Sequence, residues 1–173
     1  MNEVCFFLVL SLVYNVCFAQ SDKNYVLGAG DKVEIKVFGE PDLTVTALLG
    51  NSGEVNYPFL GKVTLSGLNT SEVEHVIAKG LRPDYLVNPN VYVQVIQYRP
   101  FYIHGEVKNP GAYPYQPAMT VNQAIALAGG LTERASVDKI FIFKEQTKQQ
   151  QQKGNLNSQI AAGDTIKIEQ RLF

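Results

Sequence analysis

Two segments of the chain open in the same way. "GDKVEIKV", residues 30–37, and "GDTIKIE", residues 163–169, each place Gly-Asp before a run in which apolar and polar residues alternate. Alternation sends successive side chains to opposite faces of an extended backbone, so each run predicts a half-buried strand entered through a turn. In the first, Val33, Ile35 and Val37 share one face and Lys32, Glu34 and Lys36 the other. Gly30-Asp31 and Gly163-Asp164 therefore read as equivalent turn devices. A phosphate loop is excluded for "LGAGDK": position 33 is Val where a dinucleotide fingerprint needs its third glycine, no Gly-Lys-Ser/Thr follows, and a strand comes next instead of a helix N-terminus.

Between these two strands the pattern changes period twice. Gly39-Glu40-Pro41-Asp42 punctuates the first run, and "GEVNYPFLGKVTLSGL" gives two short strands with turns at its Gly and Pro residues. Ser71-Glu72-Val73-Glu74 then reads as a capping box, with Val73, Val76, Ile77 and Leu81 on one helical face and Gly80 and Pro83 at its end. "NVYVQVIQYR" returns to period two, with Val91, Val93 and Val95 opposite Tyr92, Gln94 and Ile96. In the second half, "FYIHGEVKNPGAYPY" (101–115) predicts a hairpin. Thr120 caps a helix carrying Val121, Ala124, Ile125 and Ala128 at helical spacing, and Gly129-Gly130 stops it. "KIFIFK" and "DTIKIE" are strands, and Gln149–Gln152, flanked by lysines, reads as a solvated loop. The expected class is α+β.

The first nineteen residues differ from the rest. "VCFFLVLSLVYNVCFA" is apolar except for Ser11 and Asn15, and at about sixteen residues it is short for a spanning helix. Cys17-Phe18-Ala19 puts small residues where a signal peptidase needs them, so residues 1–19 are expected to be a cleaved export signal, even though Met1-Asn2-Glu3 lacks Lys and Arg. Cys5 and Cys17 are the only cysteines. A mature chain without them has no disulfide, thiolate metal site or cysteine nucleophile, which suits an oxidising compartment. Lipidation of Cys17 is disfavoured by Val16 and Tyr14, since a lipobox needs a small residue just before the cysteine and usually Leu three before. Past Glu3 the chain has 15 basic residues and as many acidic ones, so it has no large basic field for nucleic acid.

No catalytic, cofactor or metal constellation emerges. His75 and His104 lack a third ligand at characteristic spacing, and Glu40/Asp42 and Glu72/Glu74 lie at turns and helix starts, where acids belong structurally. Nine Tyr and nine Phe provide rings of the kind that stack on sugar faces, although Tyr92, Phe141 and Phe143 are already accounted for as strand residues.

Read together, "YVLGAGDKVEIKVFGEPDLT", "GEVNYPFLGKVTLSGLNTSEVEHVIAKGL" and "NPNVYVQVIQY" resemble the N-terminal domain of bacterial outer-membrane polysaccharide export proteins, the Wza-like group. "RPFYIHGEVKNPGAYPYQPAMTVNQAIALAGGLTERA" through "GDTIKIEQRLF" resembles the soluble-ligand-binding β-grasp (SLBB) domain that follows it there. The resemblance implies a signal peptide at 1–19, an export domain at 20–98 and a β-grasp domain at 99–173. Its motif residues, expected to serve structure or subunit contact, are Gly30, Asp31, Gly105, Pro110, Gly111, Gly129, Gly130, Gly163 and Asp164. It further implies a periplasmic, non-enzymatic transport component, a homo-oligomeric octameric ring passing exported polysaccharide outward. An inner-membrane polysaccharide co-polymerase would be its partner, and no cofactor is implied. Family members add further β-grasp repeats and a C-terminal amphipathic helix, neither of which follows Arg171-Leu172-Phe173 here. The expectation is a short form that relies on a separate outer-membrane β-barrel. Two alternatives stay open: a β-grasp module holding a soluble glycan without a conduit, and a glycan hydrolase with paired carboxylates.

Overall fold

The computed structural model describes residues 25–145 and 151–171. The expected export signal, both cysteines, Gln149 and Gln150 lie outside the described residues.

Strand β1 (Lys32–Val37) follows the first Gly-Asp turn and forms the centre of a three-stranded antiparallel sheet between β2 (Val45–Leu48) and β5 (Val91–Gln97). A separate hairpin joins β3 (Glu54–Tyr57) to β4 (Gly61–Thr64). Val33, Ile35 and Val37 are buried as their alternation requires. With Leu27, Leu49, Val55, Tyr57, Leu65 and Val93 they form one core, closed by helix α1 (Thr70–Leu81) through Val73, Ile77 and Leu81.

Helix α1 differs from its sequence reading in two respects. Its cap is Asn69, whose side chain accepts from the Glu72 N–H at 2.9 Å while the Glu72 carboxylate accepts from the Asn69 N–H at 2.8 Å. Asn-x-x-Glu satisfies the same reciprocal logic as Ser-x-x-Glu, two residues upstream. Ser71 and Glu74 thus fall inside the helix, and Glu74 accepts the Val93 N–H at 3.0 Å, tying α1 to β5. Val76 is exposed, so the packed face is narrower than predicted. Gly80 lies inside the helix, not at its end, with Leu60 packed where a Cβ would stand, and the chain is extended at Arg82, before Pro83.

The second core lies beneath a five-stranded mixed sheet of order β7-β6-β10-β8-β9. Its strands are β6 (Phe101–Gly105), β7 (Gly111–Tyr113), β8 (Ala135–Phe143), β9 (Gln151–Gly154) and β10 (Thr165–Gln170). Strand β10 runs parallel to β6 and antiparallel to β8. One face packs on helix α2 (Val121–Leu127), with Phe101, Ile103, Ile140, Ile142, Ile166 and Ile168 against Val121, Ala124 and Ile125. A sheet curled over one helix is the expected β-grasp form, and the whole is α+β. Thr120 caps α2 as predicted, and Gln123 completes a capping box that the sequence reading had not named. The glutamine run is corrected: Gln151 and Gln152 are strand residues, paired to Phe143 and Ile142, because a free edge of β8 offered them a backbone ladder.

Ile77→Asp is expected to lower the stability of the first unit by several kcal/mol, since it sets an unpaired charge where Ile77 is fully buried. Lys79→Asp, on the exposed side of α1, should change it by under about 0.5 kcal/mol. Denaturant melts of the two variants check the contrast, and equal midpoints would contradict the assigned helix face.

Candidate functional site

The two Gly-Asp turns have the same hydrogen-bonded build. In the first, the Asp31 N–H reaches the Gly28 carbonyl and the Asp31 carboxylate accepts the Gly28 N–H at 2.9 Å. In the second, the Asp164 N–H reaches the Ala161 carbonyl and its carboxylate accepts the Ala161 N–H at 2.8 Å. Each aspartate closes a turn of its own backbone, and a left-handed glycine, Gly30 at φ 94° or Gly163 at φ 81°, makes that turn possible. Both carboxylates are buried.

What neutralises them differs. Asp164 holds the Lys144 ammonium at 2.6 Å within the second unit. Asp31 holds Arg99, the residue that stands between the last strand of the first unit and the first strand of the second. Arg99 donates to Asp31 twice, from its backbone N–H (2.7 Å) and from Nη1 (2.6 Å). The Tyr25 hydroxyl donates to the same carboxylate at 2.7 Å and accepts from Arg99 Nη1 at 2.7 Å. On its other side Arg99 Nε donates to Glu145 at 2.7 Å. Burial, the Asp31 hydrogen bond and its negative charge raise the Tyr25 phenol far above its ordinary range. The guanidinium, although burial opposes its charge, is held above its usual value by Asp31, Tyr25 and Glu145.

Glycine makes room for this cation from both sides. A Cβ at Gly28 would stand 2.9 Å from Arg99 Nη1, and one at Gly163 would collide with the Glu145 carboxylate and approach Arg99 Nε to 3.1 Å. The predicted residues Gly30, Asp31 and Gly163 thus gather around Arg99, which the motif reading had not singled out. Tyr25 also packs on both cores, with its ring edge-on to Tyr98 at 4.8 Å, and Tyr98 continues to Tyr115 at 5.6 Å.

The remaining motif residues form a second group. Gly105, at φ 92°, lets β6 run against the Ile168 carbonyl where any Cβ would clash. The turn containing Pro110 then docks on the end of α2: the Lys108 N–H reaches the Gly130 carbonyl at 3.0 Å and the Asn109 N–H reaches the Ala128 carbonyl at 2.9 Å. Gly129 sits beside the Asn109 amide, and Gly111 begins β7. The 101–115 hairpin is therefore a fastening between sheet and helix. His75 on α1 and His104 on β6 are both exposed and lie in different units. Among the described residues no group of three His, Cys, Asp or Glu side chains could hold a metal ion.

Two outcomes follow from the joint. Arg99→Met leaves Asp31 charged, buried and without its cation, which should cost about 3–5 kcal/mol in denaturant unfolding. Arg99→Lys should recover only part of that, because a point ammonium cannot bridge Asp31 and Glu145 as a fork does. In alkali, burial raises the Tyr57 phenol to about 12 from an ordinary 10.0, and Tyr25 is raised further. The unfolded chain releases these protons first, so stability that is intact below pH 10 should fall as pH climbs toward 12. In Tyr57→Phe the fall over that range should be less steep; an unchanged slope of unfolding free energy against pH would contradict the assignment.

Comparison with known proteins meets this architecture at the joint. Residues 19–96 match the family model of the polysaccharide biosynthesis/export protein, and residues 100–155 match that of the SLBB domain, so Tyr98 and Arg99 lie between the two matches. The chain is 31% identical over 182 residues to the exopolysaccharide production protein ExoF of Rhizobium meliloti (strain 1021), an alignment covering 89% of this chain and 42% of that relative. It is 26% identical over 163 residues to the polysialic acid transport protein KpsD of Escherichia coli, covering 86% and 28%. It is 26% identical over 182 residues to the EPS I polysaccharide export outer membrane protein EpsA of Ralstonia nicotianae (strain ATCC BAA-1114 / GMI1000), covering 85% and 48%. The chain thus spans less than half the length of these curated relatives. Two consecutive family models are thus matched on two consecutive cores, the first unit by the polysaccharide biosynthesis/export protein model and the second by the SLBB domain model.

Proposed function

We propose that this protein works in the export of a capsular or extracellular polysaccharide, as a non-enzymatic component that assembles with copies of itself into a ring and passes polymer outward. The observation that carries the reading is the pair of family matches in the order export domain then SLBB domain, each on its own core and braced together at Arg99. The names of the relatives, production of an exopolysaccharide and transport of polysialic acid, agree in substrate class. Motif residues that lie in turns and fastenings, such as Asp31, Asp164 and Gly105, support the reading as parts of a scaffold.

The working compartment is the periplasm, with export by residues 1–19 and no acyl chain on Cys17. The domain division is 20–98 and 99–173, with Arg99 as the first residue of the second domain. In this reading the ring is an octamer, fed by an inner-membrane polysaccharide co-polymerase and emptying into a separate outer-membrane β-barrel. No described helix is long and apolar enough to cross a membrane.

Deleting the gene in a producing strain is expected to abolish surface polymer, while polymer or its lipid-linked precursor accumulates inside. The wild-type gene on a plasmid should restore it. Surface-polymer staining and quantitation of cell-associated polymer measure both, and normal surface polymer in the deletion strain would overturn the export role.

A further inference from the structure

Helix α2 covers one face of the second sheet, and no described element covers the other. Register places the outward residues in rows across four strands: Tyr102, Thr165, Phe143 and Gln151 in one, His104, Lys167, Phe141 and Lys153 in the next. Beside these rows lies a concavity of about 350 Å³, lined by His104, Phe143, Thr165, Lys144, Glu145 and Gly163. A half-buried aromatic ring, Phe143, stands in its wall.

The charged groups of this hollow are already neutralised. The Lys144 ammonium is paired with Asp164 at 2.6 Å, and Glu145 with Arg99 at 2.7 Å. They retain hydrogen-bonding capacity, since an ammonium has three donors and a carboxylate about four acceptor sites. The His104 imidazole and the Thr165 hydroxyl make no side-chain hydrogen bond within the described residues. The hollow thus offers donors and acceptors with no net charge for a ligand to balance, beside one apolar ring. An inorganic anion would meet the Glu145 carboxylate and a lysine already satisfied, and a cation would meet too few carboxylates. A pyranose ring matches: it has an apolar face to lay on an aromatic side chain and a rim of hydroxyls that both donate and accept. The volume is at the small end of ligand pockets, which run from roughly 300 to 1,000 Å³.

We propose that this hollow on the open face of the SLBB sheet is a saccharide subsite that holds one or two uncharged pyranose units, with Phe143 as the stacking platform and His104, Thr165, Lys144 and Glu145 as hydroxyl partners. The inference rests on the export reading only for the source of the sugar, the polymer in transit. Contact would be weak and renewable, as passage requires.

The test uses the full exported chain, isotope-labelled, and oligosaccharides cut from the surface polymer of the producing strain. Adding them should shift the amide resonances of His104, Phe143, Glu145 and Thr165, with affinity unchanged between low and high salt. His104→Ala, at an exposed position, should weaken binding several-fold with no change in melting temperature, and Phe143→Ala by about ten-fold. Shifts confined to another surface, or none at all, would overturn the proposal. Binding that collapses in salt, or inorganic phosphate producing the same shifts, would replace it with an anion site. Loss of self-association in both variants without sugar binding would reassign the face to subunit contact. The two readings fail separately: normal polymer in the deletion strain removes the export role, whereas oligosaccharides that bind His104→Ala and Phe143→Ala as tightly as wild type remove only this subsite.

Discussion

The two halves of this chain meet at one buried cation. Arg99 lies between Gln97, where one sheet ends, and Phe101, where the next begins; its side chain turns back to the first unit's buried Asp31 while its Nε faces Glu145 of the second. Such a pair is poor evidence of stability in itself, because taking two ions out of water costs nearly what their attraction returns. Its value lies in geometry. Asp31 also closes the turn that launches β1, so the same carboxylate sets the start of the first sheet and the direction in which the second leaves it. Tyr25 completes the arrangement by donating to Asp31 and accepting from Arg99, which leaves no buried polar side-chain atom of the described residues without a partner.

The two turns are one device used twice. Both aspartates take the N–H three residues upstream, both follow a left-handed glycine, and both open a central strand flanked on each side. They diverge only in the cation: Lys144, from the end of the neighbouring strand, serves Asp164 locally, whereas Asp31 draws its partner from 68 residues further along the chain. A local partner stabilises one sheet. A distant one couples two.

How much of this the sequence disclosed depends on the range of the interaction. Strands β1, β5 and β10 and helix α2 were legible because period and capping are local, and Thr120 with Gln123 needs only four consecutive residues. The cap of α1 was misplaced because "NTSEVE" carries two overlapping versions of the same signal, Asn69 with Glu72 and Ser71 with Glu74. Only the backbone chose between them, when β5 presented its Val93 N–H to Glu74. Strand β9 was read as loop since a polar Gln-Lys run has no alternation, and only the open edge of β8 made it a strand. Arg99 was missed for a related reason. One arginine before a proline has no spacing signature, and its meaning depends on Asp31 and Glu145 meeting there in space.

The joint and the open sheet face are not independent features, because Glu145 and Gly163 belong to both. Gly163 has no side chain, and the space a Cβ would take is filled by the Glu145 carboxylate and Arg99 Nε. A group that hydrogen-bonds Glu145 from the hollow therefore draws on the same carboxylate that orients the guanidinium. If it binds better when Glu145 is held by Arg99 than when it is released, linkage requires that binding tighten the joint by the same factor. Glu145 is more than a third exposed, so its share in the joint is screened and modest, while Asp31, fully buried, keeps the cation in place whatever Glu145 does. The arrangement thus separates two duties. Asp31 fixes where the second unit is attached, and Glu145 is the side of the joint that solvent, or a passing sugar, can reach.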